Sequence, residues 1–154
     1  MRLEEKIVIA LLKRQKTLGI AESCTGGLLS HRLTNIAGSS GFLMAAVVSY
    51  SNTSKVKIHK VPAALIQKHG AVSLPVAQRM AQGIRRLLNT DFGISITGIA
   101  GPTGGTPEKP VGLTFIAVCD RKKTLCERNV FKGSRLQVKK QAAERALKLL
   151  ENFL

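Results

Sequence analysis

The sequence predicts an α/β fold, a three-layer α/β/α sandwich around a mostly parallel, mixed five-stranded sheet. Short apolar segments of strand type alternate along the chain with amphipathic helical segments, a pattern typical of βαβ units. No repeat, low-complexity tract or linker interrupts the 154 residues. We therefore expect a single domain that spans residues 1–154.

The first half of the chain begins with a helix at 2–16, where Leu3, Ile7 and Leu11 recur on one face. The apolar run 17–22 predicts a strand, and helical spacing of leucines predicts a helix at about 26–35. Small residues at 36–41 indicate a loop, and the apolar run 42–50 a buried strand. Ser51 or Asn52 can cap a short helix. A second short helix is expected from 62 to about 68, before a turn at 70.

The second half begins with the clearest helix, at 75–88, whose apolar side chains form a wide stripe. A strand is expected at 92–97, followed by a loop with five glycines between positions 98 and 112. Strands at 111–119 and about 124–131 are expected to pair antiparallel. Ser134 then caps a final helix to about 150. Its inward positions are predicted to be Leu136, Ala143, Leu147 and Leu150.

The formal charge of +15 calls for an acidic partner, such as nucleic acid, an anionic membrane surface or a phosphate-bearing small molecule. Proteins that bind single-stranded nucleic acid usually add aromatic side chains on which bases stack. This chain has one tyrosine, no tryptophan and five scattered phenylalanines. A solvated basic surface is therefore favoured over a nucleic-acid site, which stays open.

The expected location is the cytoplasm, with no membrane partner. No apolar run reaches the roughly 18 residues that a membrane helix needs, and the start of the chain does not read as a signal peptide. The three cysteines are odd in number and lack paired CxxC spacing. Neither a disulfide framework nor a zinc site is expected.

A candidate nucleophile, Ser23, lies in the predicted turn between the first strand and the next helix. Tyr50 and Lys55 follow the second strand, and Thr97 and Gly98 end the third. If these strands are parallel, all three turns open at the carboxyl edge of the sheet, where such folds bind ligands. Residues far apart in the sequence are therefore expected to converge on one site.

Lys55 is the candidate base, because a serine hydroxyl needs a base to remove its proton. It would need a pKa about three units below the ordinary ~10.4 to act near neutral pH, and burial can supply such a shift. Tyr50 could hydrogen-bond either partner. Two alternatives stay open: Lys55 as a surface lysine, and Cys24 as the nucleophile. A Ser-His-Asp triad is disfavoured, since His31, His59 and His69 are interpreted as surface or helix-end residues.

The glycine-rich loop from Gly98 to Gly112 exposes backbone N–H groups, which can hold a phosphate or an oxyanion. It is not a Walker A motif, because no Gly-Lys-Ser/Thr ends it. Such a loop is weak evidence alone, and its weight comes from the sheet edge that it is expected to share with Ser23.

Seven ordered motifs extend over almost the whole chain: ESCTGG at 22–27, IAGSS at 36–40, YSNxxK at 50–55, GAVS at 70–73, GIAGPxGG at 98–105, KPVG at 109–112 and FxGxR at 131–135. Together they closely resemble the CinA C-terminal domain family, the nicotinamide-nucleotide amidohydrolases. The resemblance implies an α/β/α sandwich that hydrolyses the carboxamide of nicotinamide mononucleotide to nicotinate mononucleotide and ammonia, in pyridine-nucleotide recycling. Within this family, the chain resembles the stand-alone deamidases.

The resemblance implies a role for each residue that matches a motif. Ser23 looks like the nucleophile, Lys55 like its base, and Tyr50 like a helper. The implied substrate contacts are Thr25, Gly26, Gly27, Thr97, Gly98, Gly101 and, for the phosphate, Arg135. No metal and no cofactor are implied. The expected partner is a small anionic nucleotide, and a homo-oligomer stays open.

Two rival hypotheses remain at this point. The charge and the family's historical name suggest a non-catalytic nucleic-acid-binding adaptor in competence or DNA damage. Alternatively, an amidase of the same mechanism could act on another amide.

Overall fold

A computed structural model describes residues 1–154 of the chain, and it confirms the predicted α/β sandwich. The five strands are β1 (Leu18–Glu22), β2 (Leu43–Val48), β3 (Phe92–Gly98), β4 (Leu113–Cys119) and β5 (Thr124–Val130). They form one sheet in the order β2-β1-β3-β4-β5. β1 pairs in parallel with both β2 and β3, while β4 pairs antiparallel with β3 and with β5. Only β4 therefore runs against the other strands.

Six helices cover the two faces of the sheet. Their bounds are α1 (Leu3–Lys13), α2 (Leu28–Thr34), α3 (Asn52–His59), α4 (Ala63–His69), α5 (Leu74–Leu88) and α6 (Arg135–Phe153), and a short 3-10 turn covers Ser39–Gly41. α1, α2 and α6 pack on one face around the largest apolar core, which contains Leu18, Ile20, Ile94, Ile96 and Ile116. α5, with α3 and α4 beside it, packs on the other face.

The parallel pairing of β1 with β2 and β3 confirms that three turns open at one edge. The carboxyl ends of these strands are Glu22, Val48 and Gly98, and the register pairs Glu22 with both Val48 and Ile96. The residues that follow each strand are thereby brought together. This edge of the sheet carries the candidate site.

The strand predicted as buried at 42–50 is instead an edge strand, so that description was wrong. Burial alternates along β2, and Met44 and Val48 remain 47% and 46% exposed. Its apolar composition resembles that of a central strand because hydropathy does not report which strand lies outermost. Leu136 was also wrong as an inward position, since its side chain is 55% exposed at the start of α6. Ala143, Leu147 and Leu150 are buried as predicted.

Candidate active site

Ser23 and Lys55 meet at the carboxyl edge of the sheet. The Lys55 Nζ lies 3.0 Å from the Ser23 Oγ, although the two residues are 32 positions apart in sequence. Lys55 is 1% exposed and Ser23 8% exposed. The pair is therefore within hydrogen-bond reach and almost fully removed from water. The interpretation of Lys55 as a surface lysine was wrong.

Two backbone carbonyls complete the surroundings of the Lys55 amine. The Lys55 Nζ lies 2.8 Å from the Ser49 carbonyl oxygen and 3.1 Å from that of Tyr50. A neutral amine has two N–H groups and one lone pair. If the two carbonyls accept the two N–H groups, the lone pair faces the Ser23 hydroxyl. This arrangement lets Ser23 donate its proton to Lys55.

Burial lowers the pKa of Lys55 below its ordinary value, because the charged ammonium loses its hydration. No carboxylate forms an ion pair with this lysine. A lower pKa increases the fraction of neutral amine at a given pH. The direction is the one that a general base requires.

The short helix α3 presents Lys55 to the site. Its N-cap is Ser51, whose hydroxyl oxygen accepts a hydrogen bond from the Ser54 N–H at 3.0 Å, as predicted for Ser51 or Asn52. The Lys55 N–H donates to the Ser51 carbonyl at 3.2 Å. The cap thus lies one turn before Lys55 and fixes the start of the helix that carries it.

Glu22, which sequence analysis did not single out, holds the turn after β1. Its fully buried carboxylate accepts hydrogen bonds from the Thr25 hydroxyl at 2.6 Å and from the backbone N–H groups of Leu29 and Ser30 at 3.0 and 3.1 Å. The N-cap residue of α2, Gly27, offers no side chain, so Glu22 replaces the missing cap. A carboxylate at a helix N-terminus is also electrostatically favourable.

Three residues predicted to contact the substrate lie in this turn and outside the pocket lining. The Thr25 side chain is 1% exposed and turned toward Glu22, away from the pocket that holds Ser23. Gly26 and Gly27 have φ values of +59° and +100°, which let the chain turn sharply into α2, and they do not line that pocket. The turn directs only Ser23 and Cys24 toward the pocket. Contact of Thr25, Gly26 and Gly27 with a substrate stays a prediction.

Cys24 is not suited to be the nucleophile. Burial raises the pKa of the Cys24 thiol to about 11, so it is protonated at neutral pH. No hydrogen bond joins it to Lys55, whereas Ser23 makes that contact. The geometry favours Ser23 over its neighbour.

The Tyr50 side chain does not contact either member of the pair. The Tyr50 hydroxyl accepts a hydrogen bond from the Arg135 guanidinium at 3.0 Å, and Tyr50 is 59% exposed. The contact between Tyr50 and Lys55 instead uses the backbone carbonyl. The hydrogen bond from the phenol to Ser23 or Lys55, which the sequence left open, is not formed, because this side chain points toward α6. The helper role of Tyr50 stays a prediction.

Arg135 joins two walls of the pocket. Besides its contact with Tyr50, its guanidinium donates to the Gly101 carbonyl at 2.7 Å. These bonds use two of its five N–H groups, so the others remain available to a ligand. Arg135 and Lys55 are the two basic residues that line the pocket, and no Asp or Glu lines it. The site therefore has a positive electrostatic character.

The glycine-rich loop forms the opposite wall, and Gly98 and Gly101 line the pocket there, while their contact with a substrate stays a prediction. The backbone N–H groups of Ala100, Gly101, Thr103 and Gly104 donate to no backbone carbonyl, and neither does that of Cys24 beside Ser23. They are free to bind an oxyanion or a phosphate. The pocket volume is about 240 Å³, which suits the reacting end of a small molecule.

Thr97 lines the pocket, but its hydroxyl is occupied. It donates to the Ala71 carbonyl at 3.1 Å, which ties β3 to the wall formed by Ala71 and Val72. Lys109, from the loop, donates to the Val72 carbonyl at 2.8 Å and also to that of His69. Both contacts hold this wall in place.

His59 ends α3, as predicted, but it is not a surface residue, whereas His31 and His69 are exposed as predicted. It is 1% exposed, and its Nε2 lies 2.8 Å from the Ser49 Oγ. The sequence offered one signal, since His59 follows Lys55 by four residues and therefore shares its helix face. Ser49 and His59 are thus additional polar residues behind the site.

No group of three or more His, Cys, Asp or Glu side chains in residues 1–154 is arranged to hold a metal ion. No helix of the structure combines the length and the apolar character needed to cross a membrane.

Comparison with known proteins gives one consistent result. The sequence model of the CinA C-terminal domain family matches residues 1–154. A CinA-like protein of Syntrophus aciditrophicus is 49% identical over 153 residues, which cover 99% of this chain and 36% of that protein. The chain thus spans about a third of the length of this curated relative.

Solved structures agree with the sequence comparison. The competence damage-inducible protein A of Klebsiella pneumoniae superposes with a TM-score of 0.94 at 35% identity, covering 97% of this chain and 93% of that one. The competence/damage inducible protein of Agrobacterium tumefaciens gives a TM-score of 0.93 at 35% identity, covering 96% and 91%.

Proposed function

The chain belongs to the CinA C-terminal domain family, and from this membership we propose that it is a serine amidohydrolase acting on nicotinamide mononucleotide. The products are nicotinate mononucleotide and ammonia, which places the reaction in pyridine-nucleotide recycling. One observation carries the proposal: the buried Lys55 amine lies 3.0 Å from the Ser23 hydroxyl, with two carbonyls placed to accept its N–H groups.

The reaction begins with attack of the Ser23 Oγ on the carboxamide carbon, while its proton passes to the Lys55 amine. The tetrahedral intermediate collapses as Lys55 returns the proton to the amide nitrogen, so that ammonia leaves. Water then attacks the acyl-enzyme ester with Lys55 as base, and Lys55 returns this proton to the Ser23 Oγ as it leaves. The carboxylic acid gives its proton to ammonia, so the net products are a carboxylate and an ammonium ion. Atoms and charges balance without a cofactor.

The negative charge that develops on the carboxamide oxygen needs hydrogen-bond donors. The free N–H of Cys24 follows the nucleophile in the chain, and further free N–H groups lie in the loop at 100–104. Such preorganised donors act most strongly where water is excluded. They support acyl transfer at Ser23.

The phosphate of the substrate is assigned to Arg135. Its guanidinium is held by Gly101 and Tyr50 and faces a pocket without acidic residues. Arginine recognises phosphate oxygens through two parallel N–H groups. This feature favours an anionic nucleotide over a neutral amide.

The deciding experiment measures ammonia release from nicotinamide mononucleotide by the wild type, Ser23→Ala and the control Ser40→Ala, which changes an exposed serine. We expect activity in the wild type and the control and none above background in Ser23→Ala. Activity that survives in Ser23→Ala would refute the mechanism. A folded wild type inactive on this substrate would redirect the search to a panel of other amides.

A further inference from the structure

Ser49 connects the nucleophile and the base through its backbone. Its N–H donates to the Glu22 carbonyl at 2.9 Å, and Glu22 directly precedes Ser23. Its own carbonyl lies 2.8 Å from the Lys55 Nζ. The spacing between the turn that holds Ser23 and the amine of Lys55 therefore depends on the placement of this one residue.

The side chain of Ser49 is held in turn by His59. The Ser49 Oγ lies 2.8 Å from the His59 Nε2 and 3.5 Å from the Glu22 carbonyl oxygen. Ser49 is fully buried and His59 is 1% exposed. The mechanism of amide hydrolysis does not itself use this pair.

The partners of His59 indicate its tautomer. Its Nδ1 is buried and has no hydrogen-bond partner. In proteins, a buried N–H group without an acceptor is rarer than a buried acceptor without a donor. We therefore expect the proton on Nε2, so that His59 donates to the Ser49 Oγ.

The backbone of His59 is also fixed in position. Its carbonyl lies against α5 at Gly83, where an added Cβ would be 2.0 Å from the carbonyl oxygen. His59 and Lys55 are one turn apart on the same buried face of α3. His59 is thus anchored both to the neighbouring helix and to Ser49.

We propose that Ser49 and His59 form a positioning pair that sets the separation of Ser23 and Lys55. This inference rests on the proposed function, since it concerns activation of the same nucleophile. His59 orders the Ser49 side chain through a neutral N–H donor. Ser49 then holds the residue before Ser23 with its N–H and accepts from Lys55 with its carbonyl.

The test uses a fluorophosphonate, which reacts with an activated serine whatever the natural amide substrate is. The Ser23 Oγ attacks phosphorus, fluoride leaves and Lys55 takes the proton. We compare labelling rates of the wild type, His59→Leu and His59→Gln, with His69→Leu as the control at an exposed histidine. Gln keeps a neutral N–H donor, whereas Leu keeps only the bulk.

We expect His59→Leu to slow labelling of Ser23 by about ten- to a hundredfold, the scale on which small misplacements of reacting groups act. His59→Gln should recover most of the rate, and His69→Leu should match the wild type. With an active substrate, the loss should appear in kcat rather than in KM. Labelling of His59→Leu at the wild-type rate would overturn this inference and leave the amidase proposal intact.

Other outcomes separate the two proposals. If the folded wild type is not labelled at Ser23, both the Ser-Lys mechanism and this inference fail. If labelling follows the expected pattern but nicotinamide mononucleotide is not hydrolysed, the substrate assignment fails and the positioning pair is supported.

A measurement on the wild type covers the case in which His59→Leu does not fold. Nitrogen-15 NMR of the histidine side chains distinguishes a protonated from an unprotonated ring nitrogen. We expect His59 at neutral pH to carry its proton on Nε2. A proton on Nδ1 instead would overturn the inference, because Ser49 would then have to donate to His59.

Discussion

The backbone carbonyl of His59 lies so close to the Cα of Gly83 that a Cβ at position 83 would come 2.0 Å from the carbonyl oxygen. Real Cβ atoms do not approach an oxygen so closely. α3 can therefore rest against α5 only because position 83 has no side chain. The helix that presents Lys55 is seated by this contact.

Replacing Gly83 by Ala should destabilise the protein, although the same change inside a helix normally stabilises it by about 1 kcal/mol. Overpacking against backbone costs about 1–3 kcal/mol, and we expect this cost to win. Denaturant melts of Gly83→Ala and of Arg86→Ala, a control at an exposed position of α5, measure the balance. A stabilised Gly83→Ala protein would contradict the contact.

Lys55→Arg should lower the rate of amide hydrolysis by at least about a hundredfold. Arginine keeps the positive charge but does not lose its proton in proteins, so it cannot act as a base. Initial rates of Lys55→Arg are compared with those of Lys68→Arg, which changes an exposed lysine. Near-normal rates in Lys55→Arg would rule out Lys55 as the base.

The value of kcat/KM should rise with pH along an acidic limb that reports Lys55. Burial lowers the pKa of Lys55, and only the neutral amine accepts the Ser23 proton. The midpoint should therefore lie below the ordinary lysine value of ~10.4. A rate that falls as pH increases across the same range would mean that the protonated lysine is the active form.

Arg135→Gln should raise KM for nicotinamide mononucleotide by about ten- to a hundredfold, because a charge-assisted hydrogen bond contributes roughly 1.5–3 kcal/mol. The corresponding nucleoside, which lacks the phosphate, should be affected much less. Arg121→Gln serves as the control, since Arg121 contacts Asn89 away from the pocket. Equal losses for nucleotide and nucleoside would remove the phosphate assignment.

His59 should make the fold sensitive to acid. Burial, and then the charge of Lys55, lower the pKa of His59 from 6.5 to about 4. Between these values the unfolded chain binds a proton that the folded protein does not, so stability falls as pH decreases through this window. The loss should approach about 3 kcal/mol near pH 4 and then level off.

Denaturant melts of the wild type and of His59→Leu from pH 7 to pH 4 check this expectation. The carboxylates contribute equally to both proteins, so the difference between the two slopes isolates His59. Identical slopes would mean that His59 titrates normally in the folded protein.

The sheet edge was predictable because parallel strands linked by helices must present their carboxyl ends together. Ser23 lies in the turn after β1 and Lys55 on the short helix after β2, so the local sequence places each of them just beyond the end of a strand. The cap at Ser51 was readable for the same reason. These features depend on neighbours in the sequence or on strand direction alone.

Other features depend on how elements pack, which the local sequence does not encode. The Tyr50 phenol points to Arg135, a residue 85 positions away, and only the placement of α6 decides that direction. His59 looks like a surface residue until α5 is laid over α3 at Gly83. Glu22 reads as a strand end, although its carboxylate caps a helix that follows it.

Because Ser23, Lys55 and the loop after β3 belong to three different strand ends, the site exists only while the central sheet is assembled. Catalysis can therefore report on global unfolding. Heat or denaturant should remove activity in one cooperative step that coincides with loss of the circular dichroism signal. For the same reason, splitting the chain between β2 and β3 should give two fragments that are each inactive. Activity that returns when the fragments are mixed would measure their reassociation.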